Sequence, residues 1–224
     1  MQSKVAEGLA LVQARIEAIR RTLPAPRPVR LVAVSKLKPP ELVHEAYSLG
    51  HRVFGENYVD ELCSKAQVCA SDISWHLIGH LQSNKVIKLL QVPGLAVVET
   101  IDSIKLAEKL NKEWGKAGRQ PLRVFLQVDT SGESTKSGVE PGEVPGLAEY
   151  VVRSCGHLQL GGLMTIGKEG DISAFERLKA LKEAVSQGLQ VDLELSMGMS
   201  GDFEAAIQAG STNVRVGSLI FGSR

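Results

Sequence analysis

Eight short apolar segments recur along the chain, separated by stretches of helical spacing, and this alternation narrows the folds open to it. They are RLVAVSK (30–36), RVFGEN (52–57), WHLIGH (75–80), LAVVETID (95–102), RVFLQVDTS (123–131), LQLGGLMTIG (158–167), DLELSMGM (192–199) and NVRVGSLIFG (213–222). Several lack polar alternation, as parallel strands covered on both faces do. Between them, PELVHEAYSLG, SIKLAEKLNKEWGKAG and ISAFERLKALKEAVSQG carry apolar residues at helical spacing and stop on a glycine. Strand alternating with helix predicts parallel βαβ units. Eight such units in roughly 200 residues predict an α/β chain folded as a single (β/α)8 barrel over residues 1–224. The helical pattern at 1–21 precedes the first strand, so it is expected as an extra element outside the barrel or across one end. An open doubly wound sheet is the alternative. The count of eight and the lack of an edge-like polar strand favour the barrel. PAPRP (24–28) reads only as the connection from the leading helix to the first strand.

Composition excludes several classes of function. Hydrophobic residues make up 43% and charged residues 23% of the 224, which describes a globular chain. The formal net charge is +1, with no arginine run and 4% aromatics, so no nucleic-acid partner is expected. No apolar run approaches the length of a membrane span, and no membrane partner is expected. Glu7, Arg15 and Glu17 interrupt the N-terminal apolar pattern, unlike a secretion signal, and acids there disfavour a transit peptide. Cys63, Cys69 and Cys155 are odd in number and lack metal-type spacing. Free thiols, no metal and a reducing compartment follow, with cytosol as the expectation and a mitochondrial pool left open.

In such a barrel, sites form where the strands end. The residues there are Lys36, Glu56 and Asn57, His80, Asp102, then Asp129, Thr130 and Ser131, then Met164 and Thr165. SMGMS (196–200) and Arg215 to Ser218 complete the set. A lysine at a strand tip is partly desolvated, which favours the neutral amine, and a neutral amine attacks carbonyls. The alternative for Lys36 is a side chain snorkelling to solvent or paired with Glu56. LSMGMSGDFEAAIQAG (195–210) runs from a strand through a Gly/Ser turn towards a helix, the form of an anion site. Gly217 and Ser218 close the adjacent final strand, and barrels often bind phosphate after strands 7 and 8. Ordinary turn chemistry is the alternative for both. Arg215, inside the last strand, needs an acceptor, either a ligand or an acid such as Glu194. HLIGH (76–80) is no zinc motif, because strand residues four apart are about 13 Å apart. GESTKSG (132–138) lacks the spacing of a nucleotide loop and is expected as a flexible loop, a candidate lid.

An amine facing an anion site suits an aldehyde that carries a phosphate. The motifs AVSK (33–36), FGENYV (54–59), WHLIGHLQSNK (75–85), GLMTIG (162–167) and ELSMGMSGDFEAAIQAGSTNVRVGSLIFG (194–222) support this. Together they make the chain resemble the pyridoxal-phosphate homeostasis protein family over nearly its whole length. The resemblance implies a barrel like the N-terminal domain of alanine racemase. It implies pyridoxal 5'-phosphate held as a Schiff base on Lys36, with Ser200, Gly217 and Ser218 on the phosphate. Arg215 would face the pyridine nitrogen, Asn57 would line the pocket, and Ser196, His80 and Met164 would form its wall. An arginine cannot take the place of the acid that keeps that nitrogen protonated in strong electron-sink enzymes. Tyr47, Tyr58 and Tyr150 all fall in predicted helices, so no tyrosine base is expected at a strand tip. The resemblance therefore implies a non-catalytic holder of the cofactor that takes part in intracellular vitamin B6 and amino-acid balance. A racemase- or transaminase-like enzyme with an unrecognised base is the alternative. Hand-off to apo-enzymes is an extension of the first role, and a monomer is expected.

Overall fold

A computed structural model describes residues 3–25, 27–132, 137–168 and 170–223. Eight parallel strands close into a barrel in sequence order. They are β1 (Arg30–Val34), β2 (Val53–Glu56), β3 (Ser74–Leu77), β4 (Leu95–Ile101), β5 (Leu122–Gln127), β6 (Leu158–Met164), β7 (Glu194–Ser196) and β8 (Asn213–Val216). Closure runs through β1 and β8, in register from Arg30 opposite Asn213 to Ala33 opposite Val216. The (β/α)8 expectation holds. The strands are shorter than the apolar segments at their C-terminal ends, because the polar tips leave the ladder and enter loops. The largest difference is NVRVGSLIFG. It divides at Gly217 into β8 and a four-residue helix that begins at Ser218. Continuous apolar character cannot separate a strand from a buried helical turn.

The helices in order are α1 (Lys4–Thr22), α2 (Pro40–Ser48), α3 (Val59–Val68), α4 (Val86–Leu89), α5 (Ile104–Lys116), α6 (Val144–Ser154), α7 (Ser173–Leu189), α8 (Phe203–Gln208) and α9 (Ser218–Phe221). The extra helix α1 starts where the Ser3 hydroxyl accepts from the Ala6 amide. It buries Val5, Leu9, Val12 and Ile16, a helical stripe, and packs on α2, α8 and α9. A Cβ at Gly8 would stand 2.3 Å from the Leu219 carbonyl oxygen, so only glycine lets α1 lie this close on α9. Arg15 adds a two-pronged contact to Glu204 of α8, at 2.9 and 2.8 Å.

The main core lies between the strands and the helical ring, with Phe54, Trp75, Leu77, Val98 and Leu126 pointing outward into it. A second apolar cluster, Val97, Phe125 and Met164, comes from alternate strand positions and fills the barrel interior. Polar and charged side chains share that interior. At the start of the strands, Glu194 accepts from Arg30 and Asn213 at 2.7 and 2.8 Å and pairs with Arg123 at 3.0 Å. These contacts hold its carboxyl below its usual range despite burial. Glu194 is therefore engaged by other cations, and Arg215 finds different partners.

Candidate functional site

Lys36 stands in a turn just after β1, half-buried. The backbone on both sides of it is braced. Before it, Ser35 donates its hydroxyl to Glu56 (2.7 Å), and its carbonyl accepts from Lys65 (2.7 Å). After it, the Leu37 amide donates to Glu61 (2.7 Å). Lys65 joins the brace, donating to Glu56 at 2.7 Å and Glu61 at 2.6 Å. Leu37 carries a φ of 58°, which costs a non-glycine residue about 1–2 kcal/mol. Burial pushes the Glu56 carboxyl above its usual range, against the pull of Lys65, and its Oε2 has no hydrogen-bond partner. Glu56 thus serves the turn through Ser35 and Lys65.

Beside this turn, across the β1–β8 closure of the barrel, the β7–α8 loop and the β8–α9 turn meet. Gly198 has a φ of 95°, and a Cβ there would come within 2.5 Å of the Ala206 Cβ, so the loop folds onto α8 only with glycine. The Met199 amide donates to Asp202 at 2.6 Å, which turns that carboxylate back onto its own loop. The Gly217 amide donates to the Ser200 hydroxyl at 3.3 Å and ties the two loops together.

These elements enclose a cavity of about 560 Å3. Lys36, Asn57, Ser200, Arg215, Gly217 and Ser218 all line it, so the barrel brings together six of the nine sequence-predicted site residues. Val34, Ile78, Ile166 and Met199 supply apolar wall. The volume suits a cofactor-sized ligand. The polar lining fits a phosphorylated aldehyde: an amine from β1, a guanidinium from β8, and two serines with adjacent glycines where chain segments turn into helices.

The other three lie elsewhere. Met164 is buried in the barrel interior against Val97 and Phe125, because its position on β6 faces inward below the mouth. Ser196 is buried one layer beneath the cavity. His80 is 50% exposed and pairs with Asp102 at 3.2 Å. It lines a neighbouring recess of about 300 Å3 with Tyr58, Gln82 and Lys85. Asn57 borders both spaces. Of the loop residues after β5, Asp129 accepts from the Ser131 and Gly132 amides, and Thr130 bonds Thr165 at 2.8 Å. Residues 133–136 of the expected lid loop lie outside the described residues. Tyr47 and Tyr150 are in α2 and α6 as expected, but Tyr58 precedes α3 in extended backbone, on the mouth side of the barrel.

Two groups escaped the sequence reading. Lys38 lines the cavity and donates to the Ser223 carbonyl at 2.9 Å. Its signal was its place two residues after Lys36. Beneath the floor runs a buried polar chain. His76 Nδ1 lies 2.6 Å from Glu99 Oε1, and the Ser196 hydroxyl donates to Glu99 Oε2 at 2.5 Å. Arg215 donates to Ser196 at 2.7 Å and to the Thr165 carbonyl at 2.7 Å. Burial pushes the Arg215 guanidinium down, and the charges of Glu99 and Asp202 oppose it. Burial also disfavours the Glu99 anion, but the hydrogen bond from His76 and the neighbouring cations hold its carboxyl below the usual range.

Known proteins share both fold and sequence with this chain. The family profile of the alanine racemase N-terminal domain matches residues 9–224. The pyridoxal phosphate homeostasis protein of Homo sapiens is 46% identical over all of this chain and 89% of its own length. The protein of the same name from Pseudomonas aeruginosa is 42% identical over 99% of this chain and 96% of its own. The solved structure of PipY from Synechococcus elongatus, with PLP bound, superposes with a TM-score of 0.79 at 34% identity. It covers 93% of this chain and 99% of its own. D-threo-3-hydroxyaspartate dehydratase from Delftia, at 19% identity and a TM-score of 0.70, shares the fold. The chain belongs to the alanine racemase N-terminal domain family and, within it, groups with the pyridoxal phosphate homeostasis proteins.

Proposed function

We propose that the cavity binds pyridoxal 5'-phosphate and that the protein holds and releases this cofactor, taking part in intracellular vitamin B6 and amino-acid homeostasis. The observation that carries this is convergence. One cavity joins the strand-1 amine, the strand-8 guanidinium and the two Ser/Gly turns after strands 7 and 8. A solved relative at 34% identity has PLP bound. When bound, the group supplies an aldehyde that condenses reversibly with a primary amine. Lys36 provides the amine, and its braced turn fixes the direction of approach. Ser200 and Ser218 offer hydroxyl donors, and the backbone at Gly201 and Gly217 offers close approach for phosphate oxygens. Arg215 presents a permanent cation, and Asn57 shapes the side nearest β2.

Several features favour holding over turnover. No tyrosine or histidine lines the cavity among the described residues. Tyr47 donates to Asp72 and Tyr150 to Glu108, both away from it. Hand-off to an apo-enzyme extends the same role. Exposed Leu37, Tyr58, Ile104 and Ile172 follow β1, β2, β4 and β6, on the face where the cavity opens. We assign the working form as a monomer in a reducing compartment, where Cys63, Cys69 and Cys155 stay as free thiols. No described helix is long and apolar enough to cross a membrane.

The test is an absorption titration with pyridoxal 5'-phosphate, wild type beside Lys36→Ala. Borohydride reduction and peptide mass mapping then locate the modified residue. A long-wavelength band in the wild type alone, with the mass on Lys36, is the expected result. A mass on another lysine, or none, overturns the assignment. Amino acids added to the same sample should give one stoichiometric spectral change; continued product formation would favour the enzyme.

A further inference from the structure

The chain from His76 to Arg215 lies beneath the cavity, and a packed barrel does not require it. Its hydrogens can be placed by elimination. Arg215 can only donate, so the Ser196 oxygen receives its NH1 proton. The single proton of Ser196 then points to Glu99, whose Oε2 must accept it. Glu99 Oε2 is therefore an acceptor, His76 Nδ1 is the neighbour on the Oε1 side, and His76 with the nearby Arg215 charge favours the carboxylate against burial. Glu99, Ser196 and Arg215 are all buried, on β4, β7 and β8. Thr165, the other residue that holds the guanidinium, contributes a neutral carbonyl. The negative charges near Arg215 are Glu99, behind it, and Asp202, which its own loop occupies at Met199.

A buried guanidinium loses its hydration, and that loss is unfavourable unless an anion answers it. Here the anion sits on the side away from the cavity, joined through one hydroxyl. That arrangement does two things at once. It fixes the plane of the guanidinium, because NH1 and NH2 are both spoken for on the inner side. It also reduces the positive field that Arg215 presents at the floor.

We propose that Glu99 is a positioning residue: acting through Ser196, it sets the orientation and effective charge of Arg215 beneath the bound ring, and so the electronic state of the cofactor. The inference rests on the assignment of pyridoxal 5'-phosphate to this cavity. It gives a role to Ser196 that differs from wall contact, and a role to a carboxylate that touches no ligand. Glu99→Gln keeps the shape and removes the charge. Ser196→Ala keeps the charge and removes the bridge.

The test is a cycle read by spectroscopy. Wild type, Glu99→Gln, Ser196→Ala, Arg215→Gln and the double variant Glu99→Gln/Arg215→Gln are titrated with pyridoxal 5'-phosphate. The absorption maximum of the bound ligand and the Kd are recorded for each. Both single changes behind Arg215 should displace the maximum in the same direction and weaken binding about tenfold or more. In the Arg215→Gln background, Glu99→Gln should add no further displacement, because the residue it acts through is gone. A purely structural carboxylate would lower the melting temperature of the free protein and leave the maximum where it was. That result, or an undiminished displacement in the double variant, overturns the proposal. Where Glu99→Gln does not fold, Ser196→Ala with and without Arg215→Gln carries the same comparison. No bound band in the wild type would instead overturn the cofactor assignment, and the role of Glu99 with it.

Discussion

At the scale of single residues, the decisive group is one that never enters the cavity. Lys65 is buried and gives its donors to Ser35, Glu56 and Glu61. It thereby holds the turn that aims Lys36 and compensates a buried carboxylate. Removing one partner of such a pair costs about 3–5 kcal/mol. Lys65→Met should lose that much in urea unfolding at pH 7, and should slow capture of the aldehyde by Lys36. The pH dependence follows from Glu56. Burial raises its carboxyl in the folded state, so the folded protein binds the proton more tightly than the unfolded chain. Stability from that proton is full below the ordinary value of 4.5 and is lost as pH rises through the folded value. Without Lys65 the folded value climbs further, so the deficit of the variant should shrink as pH falls from 7 towards 5. A deficit unchanged over that range would show that Glu56 carries no charge penalty. Lys36 itself was legible because a lysine ending an apolar strand is conspicuous. Lys65 was not, because a lysine within a helix carries no mark of burial, and Glu99 in LAVVETID likewise carries no mark of whether it faces the interior or solvent.

At the scale of elements, the outer helix α1 reaches the cavity indirectly. It lies on α9 through Gly8, and α9 begins at Ser218, part of the cavity lining. Gly8→Ala places a methyl group 2.3 Å from a backbone oxygen, so one helix must shift. Overpacking of this kind costs about 1–3 kcal/mol. The variant should melt lower and bind pyridoxal 5'-phosphate more weakly, although residue 8 touches no ligand. Gly188→Ala in α7 is the control, since nothing lies within 4 Å of its added Cβ. It should be neutral or stabilising by about 0.5–1 kcal/mol and leave binding unchanged. Equal loss of binding in both would disconnect α1 from the site. The eight strands could be read from the sequence because parallel strands covered on both sides are unbroken apolar runs. α9 could not, because the three apolar residues Leu219, Ile220 and Phe221 after a strand satisfy either geometry, and the contact of Leu219 with Gly8 that decides it spans the whole chain.

At the scale of the molecule, the candidate cavity opens at the barrel mouth, and exposed apolar residues follow four of the strands on that face. Leu37, Tyr58, Ile104 and Ile172 are each about half exposed or more, in positions where loops of a soluble barrel could carry polar residues at no structural cost. Scattered singly they would need no explanation. Placed together on the face where the cavity opens, they suit transient contact with another protein. Two routes of delivery then separate kinetically. If the cofactor passes only through solution, an apo-enzyme gains activity no faster than free cofactor leaves this protein, whatever the concentration of acceptor. If the two proteins touch, the rate grows with acceptor concentration and exceeds the release rate. Triple replacement Leu37→Ser/Ile104→Ser/Ile172→Ser should leave the absorption spectrum and Kd for pyridoxal 5'-phosphate within about twofold of wild type, since only Leu37 adjoins Lys36 and its side chain points to solvent. The same variant should lose the acceptor dependence and fall back to the release rate. Transfer that already equals release in the wild type would make this barrel a buffer that works through solution, and the apolar rim would have no part in delivery.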